Sequence, residues 1–282
     1  MATFQLKSWT TGARLFSIEI NEDEWKFRFK LALQEGIKAK ADFTGADLSG
    51  ANLTKADLSG ANLTKADLSG ANLTKANLTE TDLFGAKITG ANLTKANLTK
   101  ANLTKANLTK VDFTGADLTE ADFTGADLFG ANLTEANFTG ANLTKVDFTG
   151  ADLFGANFTK ANLSEADLTK ARLTKVRDDL WAVLSAAPRQ VAAVREAIVG
   201  GKIDGSTYEG ECADLIGTIA KAAGLFYKDL LFLKPDISRP IERFFLAIKV
   251  GDTPENNQIS RIVLGWLDEW LTNMRSAFGG EL

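Results

Sequence analysis

Between Ala41 and Lys175 the large apolar residues recur at every fifth position without a single insertion. These 135 residues divide into 27 blocks of the form Ala, Asp or Asn, Leu or Phe, Thr or Ser, then Gly, Lys or Glu. The third position holds twenty Leu, six Phe and one Ile (Ile88). It runs from Phe43, Leu48, Leu53, Leu58 and Leu63 through Leu103, Phe113, Phe123, Phe138, Phe148 and Phe158 to Leu173. A period of five fits neither regular element. On an α-helix five steps rotate by about 140°, which scatters the leucines round the axis. On a straight strand residues i and i+5 face opposite sides. Burying every third position therefore needs a chain that turns the same way once per block. Four corners close a coil of twenty residues, and stacked coils pair as parallel strands. The predicted fold is a β-solenoid of square section, its interior filled by Leu and Phe, with the small Ala at the crowded inward position beside them. At a strand spacing of ~4.8 Å, 27 blocks make a rod roughly 32 Å long.

Blocks such as ADLSG, ANLTK and ADFTG resemble the A(D/N)LXX signature of the pentapeptide-repeat family, and the resemblance covers 135 of 282 residues. It implies a right-handed quadrilateral β-helix with the central Leu/Phe and the preceding Ala pointing inward. Thr81, Val111 and Val146 depart from the pattern by replacing Ala, and Lys87 and Arg172 by replacing Asp/Asn. Valine at the small inward site predicts local crowding. The decapeptide ADLSGANLTK occurs three times in tandem from Ala46 to Lys75. Such uniformity is what recent duplication or consensus-style engineering leaves behind.

An uncapped solenoid exposes strand edges, so the flanks are read as caps. In the N-terminal capping segment, residues 1–40, Phe4–Trp9 and Arg14–Ile20 predict a hairpin. Asn21 and Glu24 make a capping-box-like start to a helical stripe of Trp25, Phe29, Ala32, Leu33 and Ile37. The alternation Trp25, Phe27, Phe29, Leu31 fits a strand equally. After Lys175 the period of five stops, and residues 176–282 read as an α-helical domain with a core of its own. Helices are expected over Val176–Ala187 and Arg189–Val199. Three more are expected from a Ser206/Glu209 capping box to about Ala223, from Ser238 to about Val250, and from Thr253-Pro254 to about Ala277. On the last, Ile259, Ile262, Val263, Trp266, Leu267, Trp270, Leu271 and Met274 share one face. The segment GSTYEGECADLIGTIA is similar to C-terminal regions appended to some bacterial and phage members of the family.

Composition narrows the chemistry. The chain has no histidine and one cysteine, Cys212. That removes the commonest general base and metal ligand, every Cys-His or Ser-His pair, and any internal disulfide. Near Cys212, the residues Tyr208, Glu209, Glu211 and Asp214 offer no base to generate a thiolate, so a small buried residue is expected. Asp236, Asp252 and the acidic residues of the last helix lack metal-loop spacing. No catalytic residue, metal site or cofactor is expected. No apolar run approaches a membrane span, and the start MATFQLKSW lacks a secretory core, so a cytoplasmic protein is expected.

The family resemblance also implies a second possibility, mimicry of DNA by an acidic rod that modulates DNA gyrase or a related topoisomerase. The repeats carry 12 Asp and 4 Glu against 12 Lys and 1 Arg, a net of −3, and the whole chain is −4. Corner lysines such as Lys55, Lys75, Lys95, Lys100, Lys105 and Lys110 interrupt an acidic field. One wall has a partial Asp row (Asp47, Asp67, Asp127, Asp147, Asp167) broken by Lys87 and Asn107. Direct nucleic-acid binding is not expected. Phe84, Phe129 and Phe154 stand in the outward Thr position and are candidate partner contacts, although a count in twenties puts them on different walls. Trp266 and Trp270 read as core residues or as contacts of a homodimer formed through the C-terminal helices. The expectation is a non-enzymatic scaffold whose protein partner the sequence does not name.

Overall fold

A computed structural model describes residues 2–158, 160–203, 215–222, 240–245, 248 and 250–278. Strand β1 (Ala2–Lys7) pairs antiparallel with β2 (Arg14–Ile20), Leu6 opposite Phe16. The expected first strand runs on to Trp9, but the hairpin lets go after Lys7. There the backbone turns to the first coil: Trp9 N–H donates to Gly45 O at 2.9 Å, and Asp47 N–H to Lys7 O at 2.7 Å. The edge of the first coil is thereby closed. Glu22–Phe27 forms a 3-10 turn and α1 spans Arg28–Lys38, so this segment is helical, with the α-helix proper beginning seven residues after Asn21. Asn21 and Glu24 still meet, Nδ2 to Oε2 at 3.4 Å. Helix α1 lies so close to the first coil that a Cβ on Gly36 would stand 2.3 Å from the buried Phe43 ring.

In the rod, residues twenty apart pair in parallel, every five residues from Asp47↔Asp67 to Asp152↔Arg172. This is the right-handed quadrilateral β-helix of pentapeptide repeats. One block shows why each residue type recurs. Asn72 N–H donates to Ala51 O one coil back, and Leu53 N–H to Asn72 O one coil on, at 2.9 and 2.7 Å. Lys55 N–H donates to Thr74 O, and Ala56 N–H returns to Leu53 O across the corner. That leaves the fourth amide, which points away from both neighbouring coils. Asn52 Oδ1 accepts it from Thr54 at 3.2 Å and accepts the Thr54 hydroxyl at 2.8 Å. The second position is Asp or Asn because a short side chain must supply that acceptor. The fifth residue sits at positive φ, from 54° at Lys55 to 70° at Gly150. With a negative φ before it, this is a type II corner, the conformation that favours glycine.

Every third-position side chain named above is buried, and the small first-position residues from Ala46 to Ala166 are buried with them, while Ala41 and Ala171 at the two ends are partly exposed. Phe113, Phe123, Phe138, Phe148 and Phe158 touch one another at centroid distances of 5.3–6.4 Å, so the C-terminal half of the rod has an aromatic core. Val111 and Val146 keep the turn bond of their corner, at 3.1 and 3.3 Å, beside 3.1 Å at Ala121 and 3.2 Å at Ala91. Thr81 satisfies its buried hydroxyl on Leu58 O at 2.9 Å.

Helices α2 (Thr174–Ala186), α3 (Val191–Val199), α4 (Leu215–Ala222), α5 (Pro240–Phe245) and α6 (Gln258–Phe278) follow. Helix α3 starts later than expected because Pro188–Gln190 makes a 3-10 turn. It ends in a Schellman turn: Gly201 has φ +60°, and Lys202 N–H reaches Ala197 O at 2.8 Å. Helix α6 begins at Gln258, not at Thr253, because Asn257 Oδ1 accepts Ser260 N–H at 2.9 Å and acts as the cap. The Ser206/Glu209 box, the Ser238 start and the stop at Gly279-Gly280 lie outside the described residues. Gln258 reaches back to the rod, its Oε1 accepting Leu168 N–H at 3.2 Å. The buried side chains form one cluster from Phe4 to Trp270.

Candidate interaction surface

Two kinds of surface are available to a partner, the repeated walls of the rod and the varied faces of the helices. On the rod, Phe129 is 45% exposed. Phe84 and Phe154 are half-buried, and Lys105 Nζ lies 5.9 Å from the Phe84 ring centroid. The three stand on different walls and are not brought together. Each keeps its amide on the local Asp, as Phe129 N–H does on Asp127 Oδ1 at 2.9 Å, so the backbone tolerates Phe where Thr is the rule.

The partial Asp row is a physical column in which Asp47, Asp67, Lys87, Asn107, Asp127, Asp147 and Asp167 pair in succession. On other walls Asp stacks against Asn, whose amide donates: Asn102 Nδ2 reaches Asp82 Oδ1 at 3.0 Å. In this column Lys87 Nζ meets Asp67 at 3.2 Å and lies 5.9 Å from the ring of Trp9, whose indole N–H donates to Lys65 O. The departure at Lys87 thus neutralises one Asp and packs beside the N-terminal cap. Burial pushes the Asp67 carboxyl up, but Ser69 and Lys87 outweigh it and hold the group below its ordinary value. Thr169 does the same for Asp167, and Thr44 and Ser59 for Asp42 and Asp57. Asp127, Asp147 and Asp167 remain as three successive carboxylates.

On the helices, Trp270 is 2% exposed and its indole N–H points to Ser185 Oγ of α2 at 3.4 Å. It is therefore not available to a second copy, because α2 already covers it. Trp266 is half-buried, 5.8 Å from the Phe244 ring, and its carbonyl accepts the Trp181 indole N–H at 3.2 Å. Asp179 on α2 accepts Ile241 N–H at 3.2 Å and caps α5. Leu168, Ala171 and Leu173 of the last coil, with Arg177, Ile262 and Trp266, line a pocket of about 240 Å³ at the junction.

A larger groove, about 500 Å³, runs between α3 and α6 and was not foreseen from sequence. Pro188, Ala192 and Leu271 are its apolar lining, and Arg189, Arg195, Glu196, Asp268 and Arg275 supply its charges. Arg195 Nε donates to Asp268 Oδ1 at 2.7 Å, a contact that raises the pKa of Arg195. The spacing Asp268, Leu271, Thr272, Arg275 marks one helical face, but its partner Arg195 is 73 residues away. Cys212 and its acidic neighbours lie outside the described residues. Among the described residues there is no His/Cys/Asp/Glu group arranged to hold a metal, and no helix is long and apolar enough to cross a membrane.

The family model for pentapeptide repeats matches residues 41–79, 76–115, 121–159 and 141–177. The chain is similar to HetL, a pentapeptide repeat protein involved in heterocyst differentiation regulation in the cyanobacterium Nostoc sp. strain PCC 7120. Identity is 35% over 46% of this chain and 70% of HetL, with a TM-score of 0.20. It is also similar to alr5209, a pentapeptide repeat protein from Nostoc PCC 7120, at 36% identity over 39% of this chain and 79% of that one, TM-score 0.25. QnrB1, a plasmid-mediated fluoroquinolone resistance protein, aligns at 19% identity over 45% of this chain and 75% of its own, TM-score 0.20. No curated protein matches. The chain belongs to the pentapeptide-repeat family.

Proposed function

We propose that the chain is a non-enzymatic interaction module in which a rigid rod, residues 41–175, carries a C-terminal helical domain that selects a protein partner. The observation that supports this reading most is the contrast in surface variety. The rod repeats one set of outward residues along each wall, whereas the α3–α6 groove combines three arginines, two carboxylates and three apolar residues at one place. Recognition needs such varied, convergent groups more than it needs area. The test is co-purification of partners with the intact chain and with a Phe84→Thr, Phe129→Thr, Phe154→Thr chain, which restores the rod's usual residue at its aromatic positions. The same partners in both are expected; their loss from the substituted chain would move recognition to the rod.

A second reading, modulation of a topoisomerase, draws on the Asp127–Asp147–Asp167 column. A DNA mimic needs dense negative charge along its length, and Lys87 with the corner lysines breaks it here. A supercoiling assay with purified protein decides: no inhibition and no relief of drug-stabilised cleavage removes this reading.

A further inference from the structure

We propose that the groove between α3 and α6 is a docking site for a short acidic peptide segment of a partner protein, one with an aliphatic residue between carboxylates. This rests on the reading of the helical domain as the recognition element. The groove is lined on one side by Pro188 and Arg189 of the 3-10 turn with Ala192, Arg195 and Glu196 of α3, and on the other by Asp268, Leu271, Thr272 and Arg275 of α6. The Arg195–Asp268 pair joins the two sides, with a second contact from the guanidinium to Asp268 Oδ2 at 3.4 Å. Beyond that pair the lining adds Arg189 on the approach to α3 and Arg275 on α6.

Charge decides what fits. Asp268 neutralises Arg195, which leaves two arginines, Arg189 and Arg275, against one carboxylate, Glu196, in the lining. Both arginines are exposed, and no ion pair among the described residues engages either. Planar guanidinium groups bind carboxylates through paired N–H donors. Between them, small Ala192 and Thr272 leave the space open, and Pro188 and Leu271 offer contact to one aliphatic side chain. A lone inorganic anion would engage the arginines but leave Pro188 and Leu271 uncovered.

The test uses the full chain and a fluorescein-labelled peptide of alternating glutamate and leucine. Saturable anisotropy change is expected, weakening as salt rises through the physiological range. The Arg189→Glu/Arg275→Glu chain should bind about tenfold more weakly or worse with an unchanged thermal midpoint, and a Lys/Lys chain should fall between. No saturable binding by the unsubstituted chain overturns the proposal, as does equal binding by the charge-reversed chain. Equal affinity for a lysine–leucine peptide, full displacement by equimolar inorganic phosphate, or a change of mass in solution on charge reversal would also overturn it, the last by assigning the groove to a second copy. None of these results bears on partner co-purification, so the two readings fail separately.

Discussion

The rod and the helices solve the same burial problem by opposite means. Each block of the rod makes the same backbone bonds to residues twenty away, and a Leu or Phe fills the interior at every fifth step. Among the helices scarcely a contact occurs twice: Arg195 with Asp268, Trp181 with Trp266, Asp179 with Ile241. Repetition makes the rod stiff and its stability a sum of near-identical neighbour terms. Variety gives the helical part surfaces that differ from place to place. Yet one cluster of buried side chains spans both, and Gln258 of α6 touches the last coil.

The largest expected effects probe whether the two parts melt together. Phe138→Ala removes a ring stacked on Phe158 at 5.3 Å and should cost about 3–5 kcal/mol. Trp270→Ala should cost a similar amount, about 3–5 kcal/mol, in the helical part. Hydrogen exchange during urea unfolding separates the outcomes. Loss of protection confined to the substituted part is expected, and loss in both would erase the distinction. Next, Gly36→Ala drives a methyl group against Phe43 and should destabilise the N-terminal cap by about 1–3 kcal/mol, read as a lowered urea midpoint.

Acid should then act on the rod through its second positions. Asp42, Asp57, Asp67 and Asp167 have carboxyls held below their ordinary value by bonds made only in the folded chain. Their contribution is full above the unfolded carboxylate pKa of about 3.9 and is lost as pH falls through the lowered folded values. The thermal midpoint should therefore hold at mildly acidic pH and fall below about pH 4. Changing these four residues to Asn should flatten that fall. The smallest effect is at the corners: Lys55→Gly relieves a φ of 54° and should stabilise by up to about 1 kcal/mol, after the cost of glycine's freedom in the unfolded chain.

The rod was legible because its rule is local. One block states which side chain goes in, which residue accepts the stray amide and where the corner falls, and neighbouring blocks repeat it. Position Lys87 needed the fold, since its neighbours Trp9 and Asp67 are far from it in sequence. The helical part was legible only as elements. Thr253-Pro254 looked like a helix start, but Asn257 is the better acceptor for the Ser260 amide, so the helix begins later. Trp270 and Trp266 lie four residues apart on one apolar face, yet α2 covers the first and leaves the second half-exposed. The groove escaped notice because its two faces come from segments 73 residues apart, joined by a pair no short window contains.

Pairing at an interval of twenty carries one more consequence. Adding or removing a whole turn of the spiral preserves what every wall displays, while a slip of ten, the length of the ADLSGANLTK unit, would trade opposite walls and scramble the Asp127–Asp147–Asp167 file. The molecule's length is in effect quantised: a ruler graduated in steps of about 4.8 Å, on which the distance between its two ends can be reset without redrawing its sides.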